Sequence, residues 1–147
     1  MRREPPFRSF DFRYERLGLP WCPYLYRWMV IFFGYSIRLH HWIRSDDDRF
    51  YHDHSCDFIS IVLKGSYTNC TPDGKFKVSA PSVWMGRALG RHYLNIPRSG
   101  AWTLLICGRP YHKWGFYVPR KTDGVLRRVR PLEYFHRYGV RQTVGYQ

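Results

Sequence analysis

Acidic residues are scarce in this chain. Eleven Asp and Glu stand against 24 Lys and Arg, a formal net charge of +13 over 147 residues. Such an imbalance favours polyanionic or phosphate-bearing partners and speeds their encounter at low salt, although a solvated basic surface accounts for the same numbers. Cysteine is sparse too. Cys22, Cys56, Cys70 and Cys107 form no C-x-x-C pair and keep no regular spacing, so neither a zinc finger nor a disulfide framework is indicated. A reducing, cytoplasmic setting is expected. No run reaches the roughly 18 apolar residues of a membrane span; the longest, Trp28 to Tyr35, is short and follows Arg27, and no membrane partner is expected. The basic N-terminus leads into Pro5-Pro6 and acidic residues rather than an apolar core, and does not read as a secretion signal. Gly-rich phosphate loops, a G-x-S-x-G elbow and an H-E-x-x-H helix are all missing, which leaves serine and cysteine nucleophile chemistry without support. Internal repeats and low-complexity tracts are missing as well.

What is present is an aromatic-rich sequence, 19% Phe, Trp and Tyr, long enough for one domain with a real core. Ser36 to Arg44 alternates, with Ile37, Leu39, His41 and Ile43 on one face and Arg38, His40, Trp42 and Arg44 on the other, a strand signal. If the first face is core, the second lines solvent or a polar mouth. Phe58 to Leu63 is an almost unbroken apolar run that reads as a buried strand. Thr71-Pro72-Asp73-Gly74 is a turn between Ser66–Cys70 and Lys75–Val78, making a hairpin. Pro81 to Met85, Arg91 to Ile96, Ala101 to Cys107 and Lys113 to Val118 read as further short strands. Many strands at short intervals mean an all-β sandwich or barrel. Pro20 to Phe33 suggests a short helix from Pro23 to Gly34, with a strand as the alternative because aromatic and β-branched residues abound. Residues 1–36 are then an arm and short helix packed on the strands of 37–118, the arm anchored through Phe7, Phe10, Phe12 and Tyr14 or else left loose. Residues 119–147 form a basic extension in which Leu132 to His136 makes one short helix or strand. Asp46-Asp47-Asp48 reads as a solvated turn rather than an acidic metal site.

The functional argument rests on Arg49 to Tyr67. His52 and His54 project from one face of a strand because side chains there alternate with period two, and two imidazoles aimed at one point make half a metal site. His52, His54 and Gly65 fall where the first cupin motif places H-x-H and its closing Gly, with Phe58 at the position of the motif's Glu. Met85 to Asn95, with Gly90, His92 and Asn95, looks like a loose second cupin motif. The chain therefore resembles the cupin superfamily over roughly residues 37 to 118. That resemblance implies an antiparallel jelly-roll β-barrel and a third ligand, His92. A set of His52, His54 and His92 without a carboxylate is similar to the three-His iron centre of thiol dioxygenases, and implies one divalent metal, Fe(II) favoured over Zn, Ni or Mn.

Around this set, Asp57 is out of phase with the His pair, and serves as fourth ligand if a bulge resets the phase, as an outer hydrogen-bonding partner, or as the start of the strand. Cys56 is in phase with the imidazoles, as their neighbour or as a small buried thiol. In the cupin pattern Phe58, Ser60, Val62 and Lys64 face the interior, so Lys64, with Arg38 and His40, is a candidate for binding an anionic substrate group; Lys64 reaching solvent is the alternative. Two functions follow. One is a metal-dependent enzyme, an Fe(II) oxygenase acting on a small anionic or nucleotide-like substrate. The other is a non-catalytic module whose Arg127, Arg128 and Arg130 grip nucleic acid, a nucleotide or an acidic protein. Oligomeric state is not fixed by the sequence, and a homodimer stays open.

Overall fold

Eleven strands follow one another from Phe10 to Val129, and one helix closes the described chain: β1 (Phe10–Leu19), β2 (Cys22–Phe32), β3 (Tyr35–Trp42), β4 (Tyr51–His52), β5 (Phe58–Thr71), β6 (Gly74–Ser79), β7 (Ser82–Gly86), β8 (Tyr93–Asn95), β9 (Ala101–Cys107), β10 (Phe116–Pro119), β11 (Leu126–Val129) and α1 (Pro131–Tyr138). This is a computed structural model, and it describes residues 10–45 and 50–138. The Phe7 anchor and the Asp46-Asp47-Asp48 turn lie outside the described residues. Every strand pair is antiparallel. The larger sheet runs β1-β2-β3-β9-β5-β6, with β7 and β8 also on β5, and a smaller one runs β11-β10-β4.

β5 is the spine. Its first half pairs with β9 and β7, its second with β6 and β8. The bend between the halves falls at Gly65, where φ is +79° and a Cβ would lie 2.5 Å from the Gly100 carbonyl oxygen; only glycine fits there. At the far end the Thr71 hydroxyl accepts the Asp73 N–H at 3.2 Å and so shapes the expected turn.

Cys22–Phe32 is a strand, where a helix was expected. Its Tyr, Trp, Val, Ile and Phe side chains favour a pleated surface, and hydrogen bonding to β1 on one side and β3 on the other decides the matter. Pro23 is tolerated because it sits beside the irregularity at Gly18. Residues 10–32 thus extend the main sheet instead of forming an arm laid on it.

The faces of β3 are inverted relative to the sequence reading. Ser36, His40 and Trp42 are buried and Arg38 is half-buried, whereas Ile37 is exposed. The interior is apolar at one end, where Leu25, Trp42, Val62 and Tyr67 meet, each such side chain contributing about 1.5–3 kcal/mol of burial. Elsewhere it is polar: Glu15, His40, Ser60 and Thr103 are buried within it. Arg27 donates to Glu15 through Nε at 2.7 Å, and Trp42 Nε1 donates to Thr103 at 3.3 Å. A separate cluster of Phe116, Val118, Val129 and Tyr134 fastens α1 to the smaller sheet.

Candidate metal centre

Backbone pairing closes the gap between the two histidine segments. His52 and His92 exchange N–H···O bonds of 2.9 and 3.0 Å, and the His54 N–H reaches the Ala88 carbonyl at 2.8 Å. Asp57 Oδ1 accepts the Ala88 N–H at 2.7 Å, so both carbonyl and amide of that residue are held. The loop that carries His92 is thereby locked against the H-x-H strand.

The three imidazoles converge. Ring centroids are 5.1 Å apart for His52 with His54, 5.1 Å for His52 with His92 and 4.8 Å for His54 with His92. One nitrogen from each lies within 4.8 Å of the others. Asn69 Oδ1 can only accept, so its 2.7 Å contact with His92 Nδ1 assigns the proton to that nitrogen and turns the Nε2 lone pair inward. There it faces His54 Nε2 at 2.7 Å. Two nitrogens that close require a shared proton or a cation between them. A pair bound about 2.1 Å from one ion at roughly right to tetrahedral angles would stand about 3.0–3.4 Å apart, a small adjustment from what is seen. Burial pushes the pKa of each ring down to about 3, reinforced for His52 by His54, for His54 by His92 and for His92 by His52. All three are neutral at physiological pH, as metal ligands must be.

No family model matches this sequence, and no curated protein matches it. Solved structures do. A structure of Fe(II) HppE superposes with a TM-score of 0.56 over 67% of this chain and 57% of that one, at 7% identity. Hydroxypropylphosphonic acid epoxidase from S. wedmorenis gives 0.51 over 64% and 55%, at 9% identity.

The fold is that of a cupin barrel.

A cupin-2 domain-containing protein from Shewanella frigidimarina also matches, with a TM-score of 0.45 over 55% of this chain and 74% of that one, at 16% identity. The chain spans little more than half the length of the HppE chain. No helix among the described residues is long and apolar enough to cross a membrane.

In the cupin Glu position, Phe58 is buried and packs edge-on against His54 with centroids 4.9 Å apart. Gly86 makes room for it: a Cβ there would meet the Phe58 ring at 2.1 Å. An apolar wall therefore replaces a carboxylate. Trp84 stands 6.0 Å from His92 and donates through Nε1 to Tyr67 at 2.7 Å. The cluster opens on a cavity of about 590 Å³ lined by His54, Phe58, Asn69, Trp84, Arg91 and His92 among others, a volume suited to a small molecule.

Asp57 stands outside the group of side chains able to share one ion. Its Oδ1 is taken by Ala88 N and by the Tyr111 hydroxyl, the latter at 2.7 Å, and its pKa is lowered by those bonds and by Arg87. It holds the His92 loop; it does not complete the ligand set. Cys56 is likewise outside that group. It packs with Cys107, whose hydrogen bond, together with burial, pushes the Cys56 thiol up.

Arg38 does point inward. Its Nε donates to Ser36 Oγ at 2.9 Å, its charge helps lower His54, and no carboxylate among the described residues pairs with it. His40 is buried, with neither ring nitrogen partnered among the described residues, and its pKa falls well below the ordinary value through burial and then through Arg27 and Arg38. Lys64 does not join them. The pairing of β5 with β9 slips between Val62 and Lys64, and the bulge turns Lys64 to the exposed outer side.

Arg127, Arg128 and Arg130 differ in their partners, Arg127 and Arg128 being neighbours on β11 that face opposite ways. Arg127 pairs with Glu133 at 3.0 Å and Arg130 is exposed. Arg128 turns in, its Nε 3.2 Å from Asp53.

Asp53 is a residue whose importance sequence reasoning missed. Lying between the two histidines, it points to the opposite face with a side chain of 0% exposure. It accepts from His112 Nε2 at 2.8 Å, Gly115 N at 2.6 Å and the Tyr117 hydroxyl at 3.0 Å, besides Arg128. Burial alone would raise its pKa, but these four donors outweigh burial and hold it below the usual carboxylate value. The segment that presents His52 at the end of β4 and His54 just beyond it is thus anchored from behind.

Proposed function

We propose that this cupin is a metal-dependent enzyme of the Fe(II) oxygenase type, acting on a small anionic substrate, with His52, His54 and His92 as the metal ligands. The observation that carries the reading is the convergence of three neutral ring nitrogens within 4.8 Å at the wall of a ligand-sized cavity. The imidazole donor set suits Fe(II), Zn and Ni better than Mn, and Fe(II) is favoured among them because the similar HppE structure is an Fe(II) form. Such an ion would supply a redox-active Lewis acid with open coordination positions. The protein's own contribution is orientation and exclusion of water. Asn69 aims His92, while Phe58 and Trp84 wall the cavity with apolar rings. Arg38 and His40 do not line that cavity; within the barrel they are the proposed anion-binding groups, a half-buried cation with no carboxylate partner among the described residues and a buried imidazole whose ring nitrogens are unpartnered among them.

Metal analysis of the purified protein tests this. Wild type is expected to carry about one divalent ion per chain and the His52→Ala, His54→Ala double variant almost none. Equal, negligible metal in both proteins, even after anaerobic addition of Fe(II), refutes the reading.

A second reading, a binding module for nucleic acid, a nucleotide or an acidic protein, has one observation in its favour. Arg120, Lys121, Arg127 and Arg137 line a surface cleft of about 600 Å³ near the smaller sheet. It predicts salt-sensitive binding that survives loss of the histidines and is lost in Lys121→Ala, Arg127→Ala protein, both residues lining that cleft.

A further inference from the structure

The outer face of the larger sheet is apolar from one edge to the other. Cross-strand pairing sets Tyr14 beside Trp28, Leu39, Leu104, Ile61 and Val83 in one row, and Phe12 beside Val30, Ile37, Ile106, Ile59 and Met85 in the next. No charged residue interrupts either row. Much of this surface is open: Phe12 is 60% exposed, Val83 67% and Met85 64%, and at the centre Ile37 and Ile106 are 39% and 43% exposed.

Local sequence and observed exposure disagree here. Phe58 to Leu63, apolar except for Ser60, has nearly the composition of a strand covered on both sides, yet Ile59 is 37% and Leu63 51% exposed. β3 offers Ile37 and Leu39 to the outside while its polar residues face in. These strands carry a second apolar face that the described chain leaves uncovered. The helix α1 covers none of it, because Tyr134 stacks on Phe116 of the smaller sheet with centroids 3.8 Å apart.

We propose that this face is the two-fold interface of a homodimer, packed sheet on sheet. Three considerations choose a second copy of the chain as the occupant. The largest apolar patch on a typical monomer is about 300–600 Å². At roughly 150–250 Å² per aromatic side chain, the exposed fractions along these rows and the adjoining Phe10 and Tyr35 come to about 900 Å², against about 800 Å² per partner in a stable complex. Both faces of a two-fold contact are the same patch, and two apolar sheet faces pack on one another at about 10 Å separation. Charge is excluded from the rows although the chain carries +13, so the cations of two copies meet only at the rim, where Lys64 lies, and an acidic partner would find nothing to pair with on the face itself.

Sedimentation equilibrium of the full chain decides between the outcomes. At micromolar concentration the wild type is expected at twice the 17.8 kDa of one chain, and its dimer is expected to tighten with added salt, since screening relieves like-charge repulsion and leaves apolar contact intact. Ile37→Asp with Ile106→Asp, a cross-strand pair at the centre of the face, is expected to weaken dimerisation about a hundredfold or more with an unchanged circular dichroism spectrum. Met85→Lys on the exposed strand β7 places a charge on the same face at less risk to the barrel and is expected to act in the same direction. Leu132→Asp, 86% exposed on α1, is expected to leave the dimer untouched. A wild type that stays monomeric at low and high salt overturns the proposal, as does a dimer indifferent to both face variants. A monomer that co-sediments with anionic phospholipid vesicles overturns it as well, and assigns the face to a lipid surface.

Discussion

His92 presents Nε2 to the cluster because Asn69 Oδ1 takes the proton on Nδ1, and a ring freed of that bond can rotate or change tautomer. Asn69→Ala is therefore expected to lower metal affinity about 10- to 100-fold with the fold intact, read by competition against a chromophoric chelator; Asn69→Asp, which keeps an acceptor in place, should recover most of the loss. Unchanged affinity in the alanine variant would remove Asn69 from the site. Asp53 invites a different experiment. Breaking a buried ion pair costs about 3–5 kcal/mol, so Asp53→Ala should lower the urea midpoint by a corresponding amount, even without metal. His52 and His54 were readable because period two puts them on one face. Asn69 was not, since its place beside His92, 23 residues on, depends on β5 pairing with β8, and nothing in its own neighbours marks it. Asp53 was visible only as the odd member of H-x-H; its donors come from residues 112 to 128, beyond any local pattern.

Strands and turns were legible where alternation was bounded by Gly, Pro or Asp, as in the hairpin of β5 and β6. Which face of a strand would be inside was not. In β3 the apolar side looked like core, but Ser36, His40 and Trp42 are the buried residues and Arg38 is half-buried, while Ile37 faces out onto the sheet's other side. The β5 bulge was equally hidden, since it arises from the fit of β5 to β9 and not from a residue at Leu63 that demands it. The contact of Gly86 with Phe58 joins β7 to β5 at the site, and tests how far packing of elements controls the ligands. A Cβ on Gly86 would lie 2.1–2.7 Å from three Phe58 ring atoms, so the ring must move, and it rests on His54. Gly86→Ala is expected to cost about 1–3 kcal/mol from overpacking and to weaken metal binding. In a double-mutant cycle, Phe58→Leu should relieve much of that penalty. If the two changes add without interaction, the steric account fails.

At the scale of the whole molecule, the barrel keeps four histidines from water's protons: His52, His54 and His92, with pKa values held down to about 3, and His40, lowered well below its ordinary 6.5. In the unfolded chain each titrates near 6.5. Between pH 6.5 and about 3 the unfolded state therefore binds protons that the folded state refuses, and stability rises with pH across that window. The contribution is fully present above 6.5 and is lost as acid drives the rings toward charge. Asp53 works in the same direction lower down, because its folded carboxyl is held below the ordinary 3.8 and its contribution disappears only as pH falls through that lowered value. A net charge of +13, read directly from composition, adds self-repulsion as further histidines protonate. The metal-free protein is thus expected to show a urea midpoint that falls steadily from pH 6.5 toward 3, and an ion bound by the three imidazoles should displace that decline to lower pH by competing with protons. His40→Leu should make the metal-free slope shallower without altering the displacement caused by metal, because His40 stands outside the cluster. A midpoint that stays flat from pH 6.5 to 4 would mean that the folded and unfolded chains take up these protons alike, and would refute the claim that the folded barrel holds the rings neutral down to about pH 3.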